Sequence, residues 1–465
     1  MNIESLVRLV GAANAFPASD AAAAAHRDLF GHVVGSSTSR LEAVVRPGSG
    51  EELAAVAQQL HADGRAVLIS CNGAGNGAVA DHGDKPLTVV DLSRLDRIID
   101  VHPAYAHALV EPGVSFAKLR AHLAREGIPL WVDTDRNSLN SVCGSILARH
   151  FGHGPYGDHF GLQCGGEFVL RDGKPVRTGM GAVPGNPAWQ LYKYALGPYS
   201  DGLFSQSTLG YATKLGLWLM PPPPRFEPFA FRLRNARDIE PLVEALRPLK
   251  LANVIPNNVA IVNADWNAAP LGAKPATTGG DAWIAYGGLF GLPDTVDLYL
   301  DILRAVAGSI AGARLVTGAG LDDDASRERV ALMRGEAREG RLALPSFGAD
   351  RCLWMSFAAP MEGDLATEMA NEARAVLSRS ELPLLVEFSM TSLTSRTLLM
   401  QVNLPFDPRN RALAGRVGDA APRLMQRMSD LGFGLVGESY ELGAMAHRVL
   451  GPSPGEALVT RLNAA

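Results

Sequence analysis

The sequence predicts an α+β protein with two domains, and three observations support this. At 465 residues, the chain is longer than one hydrophobic core normally serves. Strand-like and helix-like segments alternate along it, and the later strands have an antiparallel character, with helices expected on one face of the sheet. The proline run at 221–224 cannot lie inside a sheet and predicts the boundary between the domains.

In the first domain, short helices and strands are separated by glycine-containing loops. Ser49-Gly50-Glu51-Glu52 is a capping box, and the apolar stripe that follows it predicts an amphipathic helix. Gly113 begins a second helix, which Gly127 ends. Strands are predicted at 66–70, 87–92 and 108–110. No GxGxxG motif follows a first strand, so a Rossmann dinucleotide fold is not supported.

In the second domain, longer alternating units follow one another. The predicted strands are 229–233, 282–290, 352–357, 384–390 and 398–404. The predicted helices are 239–246, 295–310, 365–377 and 409–431.

Composition argues against several function classes. The net charge of -5 and the pI of about 6.1 provide no electrostatic basis for binding nucleic acid or an anionic membrane. The four cysteines lie far apart, without a CxxC or His/Cys cluster, which predicts no metal site and a reducing compartment. The N-terminus lacks the pattern of a signal peptide, and no apolar run reaches transmembrane length. We therefore expect a cytoplasmic protein.

The segment from residue 154 to residue 222 is the most informative part of the chain. It contains two Gly-Pro-Tyr turns and the motifs PYGDHF, RTGMGA and GPYSDGLFSQS, followed by TKLGLWLMP. Glycines at this spacing leave backbone open to a dinucleotide where side chains would block the contact. These motifs resemble the flavin-binding segment of the vanillyl-alcohol oxidase / p-cresol methylhydroxylase family. The resemblance extends from about residue 44 to residue 222 and weakens beyond it.

The resemblance implies a fold and a cofactor. It implies a p-cresol methylhydroxylase (PCMH)-type FAD-binding domain of two subdomains at 1–222. A cap domain at 223–432, with an antiparallel sheet covered by helices, would hold the substrate, and residues 433–465 would return to the first domain. FAD is the implied cofactor.

By the same resemblance, glycine-rich loops hold FAD through backbone N–H groups, which bind anions without charged side chains. The pyrophosphate loop would be Ser70, Cys71, Asn72, Gly73, Ala74, Gly75, Asn76 and Gly77, continued by Gly144 and Ser145. The flavin and its ribityl chain would lie against Gly152, Pro155, Tyr156, Gly157, Asp158 and His159, and the adenosine against Gly210, Ala212 and Thr213. A single glycine is equally typical of a plain turn, and Asp158 and His159 are alternatively structural hydrogen-bonding residues.

The chain differs from the family at the positions that bind and oxidise the phenol. In that family two tyrosines and an arginine hold a phenolate, and a carboxylate lies near the reactive flavin nitrogen. Here the first tyrosine position falls at Gly77, the Tyr-Arg pair falls at Ser439-Tyr440, and the carboxylate position falls at Arg136. Without those donors a phenolate loses charge-assisted contacts of about 1.5–3 kcal/mol each. The strand at 395–401, where family members often attach the flavin, has neither His nor Tyr, so we expect non-covalent FAD.

Arg136 is the sharpest candidate for a replacement site residue. A guanidinium binds a carboxylate through two parallel N–H groups, which favours an anionic substrate if Arg136 faces the flavin. A salt bridge with the retained Asp133, or with Asp135, is the alternative interpretation. Asp133, as the acidic residue that this segment retains, is also a candidate catalytic residue.

Three other residues are candidates for proton transfer or substrate orientation. Tyr440 is a candidate acid–base or orienting residue, or else a tyrosine at the edge of the core. His150 and His153 flank Gly152, and an imidazole titrates near neutrality, so either is a candidate proton acceptor. A hydrogen-bonded loop histidine is the alternative for both.

The sequence therefore favours an FAD-dependent oxidase or dehydrogenase. It would abstract a hydride from a C–H bond next to oxygen or nitrogen in a small, specialised-metabolism substrate, with an anionic group as the feature that Arg136 recognises. Oxygen or an electron-acceptor protein would reoxidise it. A 4-alkylphenol oxidase or hydroxylase with a rearranged site is one alternative, and a non-catalytic subunit with an FAD-binding fold is another. The resemblance also implies a homodimer.

Overall fold

The structure is a computed structural model that describes residues 3–21, 23, 40–71, 74–75, 86–271, 282–340, 342–391, 396–438, 440–451 and 461. Three β-sheets organise this described part of the chain. Two of them lie before the proline run and the third follows it, which confirms the predicted α+β class.

The first sheet has five strands in the order β1-β2-β5-β3-β4. They are β1 (Ala15–Pro17), β2 (Arg40–Val45), β3 (Ala66–Cys71), β4 (Ala74–Gly75) and β5 (Pro86–Asp91). Helices α1 (Glu4–Val10) and α2 (Gly50–Ala62) pack on it. Ser49 Oγ accepts a hydrogen bond from the Glu52 N–H at 3.1 Å, so the predicted cap of α2 is confirmed. Helix α2 is the crossover connection from β2 to β3. These two strands lie on either side of β5, and both run parallel to it.

The second sheet is antiparallel, with the order β6-β7-β10-β8-β9. Its strands are β6 (Ile98–His102), β7 (His107–Val110), β8 (Gln163–Leu170), β9 (Pro175–Arg177) and β10 (Gly210–Trp218). Helices α3 (Phe116–Arg125) and α4 (Val142–Leu147) bury their apolar faces against it, and the short α5 (His159–Leu162) precedes β8. Ser115 and Ser141 cap α3 and α4 with their side-chain oxygens.

The third sheet has eight antiparallel strands, in the order β14-β11-β13-β12-β16-β17-β15-β18. They are β11 (Arg225–Leu233), β12 (Val259–Asn263), β13 (Trp283–Gly291), β14 (Ala313–Thr317), β15 (Arg351–Pro360), β16 (Val386–Met390), β17 (Thr397–Phe406) and β18 (Gly434–Glu438). The helices of this half are α6 (Ile239–Leu251), α7 (Ala264–Ala268), α8 (Pro293–Ser309), α9 (Asp324–Met333), α10 (Gly363–Ser378), α11 (Arg411–Asp430) and α12 (Tyr440–Leu450).

The two faces of the third sheet differ in polarity, because successive strand residues point to opposite sides. One face carries Phe388, Met400 and Val402, which join the apolar faces of α6, α8, α10 and α11 in one core. On the other face, Glu387 lies opposite Gln401, and Gln401 lies opposite Ser356 on the next strand. This polar face is the one that receives the functional side chains.

The predicted strands and helices of the second domain are present. The elements after residue 222 that were not predicted are β12, β14, β18, α7, α9 and α12. β18 pairs with β15 in the third sheet, so residues 434–438 lie with the cap sheet and not with the first two sheets. The expectation that the chain returns to the first domain at 433 is therefore wrong for this strand. The domain boundaries themselves remain predictions.

Candidate functional site

The loop of residues 150–159 is fixed from the side of the first domain by Asp133. The Asp133 carboxylate accepts hydrogen bonds from the N–H groups of Gly154 at 3.0 Å and Gly157 at 2.7 Å. A Cβ at Gly152 would overlap the same carboxylate, so glycine is required there. Asp133 thus orders the loop with both of its oxygens.

The same loop is fixed from the other side by two buried asparagines of the cap. Asn257 Nδ2 donates to the His153 carbonyl at 3.0 Å, and Asn258 Nδ2 donates to the Gly152 carbonyl at 2.6 Å. Lys250, at the end of α6, donates to the Ile255 and Asn257 carbonyls and so supports the segment that carries both asparagines. The loop is therefore held between the two halves of the molecule.

A buried ionic cluster lies where these halves meet. Glu387 Oε2 accepts hydrogen bonds from Arg136 Nη2, from Arg329 Nη1 at 2.9 Å and from Trp266 Nε1 at 3.1 Å. The side chains of Glu387 and Arg329 are 5% and 6% exposed, whereas that of Arg136 is 20% exposed. Arg136 is therefore the accessible member of the cluster.

The cluster shifts the pKa values of its members. Burial alone would raise the pKa of Glu387, but the Arg136 and Arg329 guanidiniums outweigh it and lower that pKa to about 2. Burial, assisted by the Arg136 charge, lowers the pKa of His153 to about 3. At neutral pH the cluster therefore holds a carboxylate, two guanidiniums and a neutral histidine.

The structure places Arg136 in a salt bridge, but with Glu387 and not with either of the two expected partners. It pairs with neither Asp133 nor Asp135, so the salt-bridge alternative was wrong in its partner. Asp133 is occupied by the glycine N–H groups, and Asp135 accepts from the Asn140 side chain at 3.0 Å and lies 3.8 Å from His150 Nδ1. Arg136 reaches the cap instead.

The other proton-transfer candidates lie in different surroundings. His150 contacts the Trp354 ring edge-on, with centroids 5.7 Å apart, on the polar face of the third sheet. His153 is 5% exposed and lies near enough to the ionic cluster for the charges of Arg136, Glu387 and Arg329 to act on it. Its low pKa disfavours it as a proton acceptor. Tyr440 begins α12, but its side chain lies outside the described residues, so its role remains a prediction.

The described members of the expected pyrophosphate loop lie next to the helix expected to continue it. Ser70 and Cys71 end β3 and pair with Gly75 and Ala74 of β4. Helix α4, which carries Gly144 and Ser145, packs against β3 and β4. Asn72, Gly73, Asn76 and Gly77 lie outside the described residues.

The expected flavin and adenosine residues lie on the 150–159 loop and on β10. Asp158 caps α5 by accepting from the Gly161 N–H at 2.9 Å, and His159 Nδ1 lies 2.8 Å from Ser145 Oγ. Both residues thus have structural hydrogen bonds. Gly210, Ala212 and Thr213 lie on β10, where the Thr213 hydroxyl bonds the Glu167 side chain at 2.9 Å. Their contacts with a cofactor remain predictions.

Sequence reasoning missed Arg329, Trp266, Asn257 and Asn258 as site residues. Arg329 lies on α9, whose buried positions include Ser326 and Arg329, so the helix has no clear apolar stripe. Asn257 and Asn258 stand directly before the apolar run of β12. A pair of polar residues at the start of a buried strand was the available sequence signal for this part of the site. The position of all four residues depends on contacts distant in sequence.

Comparison with known proteins defines the class to which this fold and site belong. Residues 41–179 match the family model of an FAD binding domain. The chain is therefore an FAD-binding flavoprotein, and it belongs to the p-cresol methylhydroxylase / vanillyl-alcohol oxidase family.

Two relatives and one solved structure support this assignment. The flavoprotein subunit of 4-cresol dehydrogenase (hydroxylating) from Pseudomonas putida is 34% identical over 339 residues, which are 68% of this chain and 64% of that protein. The 1'-carboxy-chondrochloren decarboxylase of Chondromyces crocatus is 33% identical over 258 residues, 55% of this chain and 47% of that protein. The chain thus spans less than two thirds of either relative in these matches.

The structural similarity extends over nearly the whole chain. The crystal structure of p-cresol methylhydroxylase with substrate bound superposes with a TM-score of 0.87 at 26% identity, covering 99% of this chain and 92% of that one. The 4-ethylphenol oxidase of Gulosibacter chungangensis, in its isoeugenol complex, gives a TM-score of 0.86 with the same coverage. At 23% identity, the second comparison concerns the fold alone.

The described residues fit FAD. Asn258 Oδ1, on the cap residue that contacts the 150–159 loop, and His159 Nε2, at the end of that loop, are buried and have no hydrogen-bonding partner among the described residues. Such orphaned groups are costly unless a ligand or water satisfies them, and a flavin offers both donors and acceptors. Within the described ranges, no group of three or more His, Cys, Asp and Glu could hold a metal ion, and no helix could cross a membrane.

Proposed function

We propose that the protein is an FAD-dependent oxidoreductase that removes a hydride from a C–H bond next to oxygen or nitrogen in a small anionic substrate. Bound FAD supplies the two-electron redox chemistry, and the protein supplies position and charge. One observation carries the proposal: Arg136 and Arg329 share the single carboxylate of Glu387 at the junction of the two halves. The remaining positive charge lies beside the loop assigned to the flavin and favours an anionic substrate.

The name of one relative supports a negatively charged substrate. The Chondromyces crocatus protein acts, by its name, on a carboxylated compound, and it matches 55% of this chain. Recognition of a carboxylate by an accessible guanidinium is the simplest use of Arg136, because the geometry of the two groups is complementary.

The pKa values restrict which residues handle the proton. Glu387, with a pKa of about 2, is a carboxylate at neutral pH and holds its charge tightly between two guanidiniums, so it is a poor base. His153, with a pKa of about 3, is a weak base for the same reason. We infer that these two residues set the charge and shape of the site. The proton is then taken by another group, for which Tyr440 and His150 remain the candidates.

A second candidate function is oxidation of a 4-alkylphenol. The 34% identity with the flavoprotein subunit of 4-cresol dehydrogenase favours it. In this case vanillyl alcohol or eugenol would be turned over with formation of hydrogen peroxide, or with reduction of an electron-acceptor protein. A homodimer is a proposal of the same rank and rests on the family resemblance. A cytoplasmic location is another, and rests on the cysteine pattern.

The test is an anaerobic substrate screen that follows bleaching of the flavin absorbance. It compares carboxylic acids with their methyl esters, together with vanillyl alcohol and eugenol. We expect bleaching by acids and at least about tenfold slower bleaching by the esters, since one charge-assisted contact is lost. Arg136→Ala should abolish the preference at unchanged FAD content, whereas the exposed control Arg304→Ala should keep it.

Three outcomes would contradict the proposal. Colourless protein that cannot be reconstituted with FAD excludes the oxidoreductase. Bleaching by the phenols alone establishes the second candidate. Unchanged kinetics of Arg136→Ala would reduce Arg136 to a structural ion pair.

A further inference from the structure

Arg136 and Arg329 have many hydrogen-bond donors left over. A guanidinium has five N–H groups, and each of these two side chains donates one hydrogen bond, in both cases to Glu387 Oε2. No other hydrogen bond from either side chain is found among the described residues. About eight N–H groups of the two guanidiniums are therefore without a hydrogen-bond partner among the described residues.

The charges of the cluster do not cancel. Glu387 contributes one negative charge and the two guanidiniums contribute two positive charges, while Trp266 and His153 are neutral. Glu328, the neighbour of Arg329 on α9, also acts on the Arg136 guanidinium through its charge. It is only partly buried, so water screens its charge, and it forms no ion pair with either arginine among the described residues. A net charge of one in a largely buried site is costly unless an anion balances it.

Aromatic rings hold the two guanidiniums in position before any ligand binds. The Arg136 guanidinium lies over the Trp266 ring, 5.9 Å from its centroid, and the Arg329 guanidinium lies 5.7 Å from the centroid of Tyr286. The shared Glu387 oxygen fixes both relative to one another. This preorganisation lowers the entropy that ligand binding would otherwise cost.

We propose that Arg136 and Arg329 together form a receptor for one planar, singly charged carboxylate, and that the substrates of this enzyme are monocarboxylates. Arg329 is the specificity-determining residue that completes the receptor behind the more accessible Arg136. Glu387 cancels one of the two positive charges, so that one negative charge neutralises the site and a dicarboxylate leaves an excess. This inference rests on the proposed function.

The edge of the flavin is a second candidate ligand for the same receptor. The pyrimidine ring of a flavin also presents a planar pair of acceptor atoms. We assign the receptor to the substrate carboxylate because the two guanidiniums share only one carboxylate in direct contact, so positive charge remains on them. The experiment separates the two sources.

The experiment measures binding, not turnover. FAD-loaded protein is titrated at pH 7 with benzoate, benzamide and phthalate, and dissociation constants are obtained by calorimetry and from perturbation of the flavin spectrum. Benzoate should bind at least about tenfold more tightly than benzamide or phthalate. Arg329→Gln should weaken benzoate binding at least about tenfold, Arg329→Lys should restore part of it, and the exposed control Arg304→Gln should have no effect.

The outcomes separate this inference from the proposed function. If wild-type protein is bleached by substrates but does not bind benzoate, or if Arg329→Gln binds benzoate as wild type does, the receptor is refuted and the oxidoreductase stands. If Arg329→Gln shifts the flavin midpoint potential with an unchanged benzoate affinity, the receptor serves the flavin edge and the inference is wrong. If the protein never binds FAD, the proposed function fails, and calorimetry with benzoate still tests the receptor. Arg136→Gln provides a second variant if Arg329→Gln does not fold.

Discussion

Arg136 and Glu387 are 251 residues apart in sequence and form an ion pair across the junction between the two halves of the molecule. Arg136 follows a segment of the first half that orders the 150–159 loop, and Glu387 lies on β16 in the middle of the third sheet. The pair thus makes the geometry of the site depend on correct packing of both halves.

Replacing Glu387 should destabilise the fold at neutral pH. Glu387→Gln leaves two buried guanidiniums without their carboxylate, which typically costs about 3–5 kcal/mol. We expect urea denaturation at pH 7 to show a loss of this size. The exposed control Glu126→Gln should differ little from wild type.

The stability difference between wild type and Glu387→Gln should depend on pH. The folded-state pKa of Glu387, about 2, lies below its ordinary value of 4.5, so the carboxylate stabilises the folded state above pH 4.5. This contribution is lost progressively as the pH falls from 4.5 to 2. The difference in stability between wild type and Glu387→Gln should therefore shrink across that window, and a constant difference would contradict the assigned pKa shift.

Lys250 should give the protein a rising stability in alkaline solution. Burial lowers the pKa of Lys250 from 10.5 to about 7, so between these values the unfolded chain binds a proton that the folded chain does not. The free energy of unfolding should therefore increase between pH 7 and 10.5, by up to about 1.4 kcal/mol per pH unit. Relative to wild type, Lys250→Met should lose this slope in denaturation curves. The exposed control Lys174→Met should retain it.

Gly335 and Gly340 form a matched pair for testing the junction. Both have positive φ angles, 76° and 89° respectively, but a Cβ at Gly335 would overlap the Val132 carbonyl oxygen, whereas a Cβ at Gly340 meets nothing within 4 Å. Gly340→Ala should cost about 1–2 kcal/mol for its left-handed backbone alone. Gly335→Ala should cost clearly more, because α9 must move away from Val132. If both variants lower the melting temperature by the same amount, the junction around Val132 is loosely packed.

FAD should be released from the protein by acid. The described residues of β17, Thr397–Phe406, include neither His nor Tyr, the residue types that tether flavin in this family. Precipitation with trichloroacetic acid should therefore leave a white pellet and a yellow supernatant with flavin absorbance. A yellow pellet would demonstrate covalent attachment through another residue.

The sequence by itself determined the fold class, and its resemblance to a flavoprotein family implied the cofactor. The glycine motifs between 154 and 222 are local signals, since tight turns and close backbone contacts require particular residues at fixed spacing. The elements with clear apolar periodicity, such as α2 and the strands of the third sheet, were also predicted, because that pattern directly reflects one buried face.

Only the tertiary structure decided how the site is charged. The sequence placed Arg136 beside Asp133 and Asp135, but both carboxylates are occupied by groups close to them in the fold. The partner of Arg136 came from β16, and the second guanidinium came from α9, 58 residues before Glu387. No local pattern reports such pairings, because a buried polar residue looks like a solvated one until the distant group that neutralises it is known.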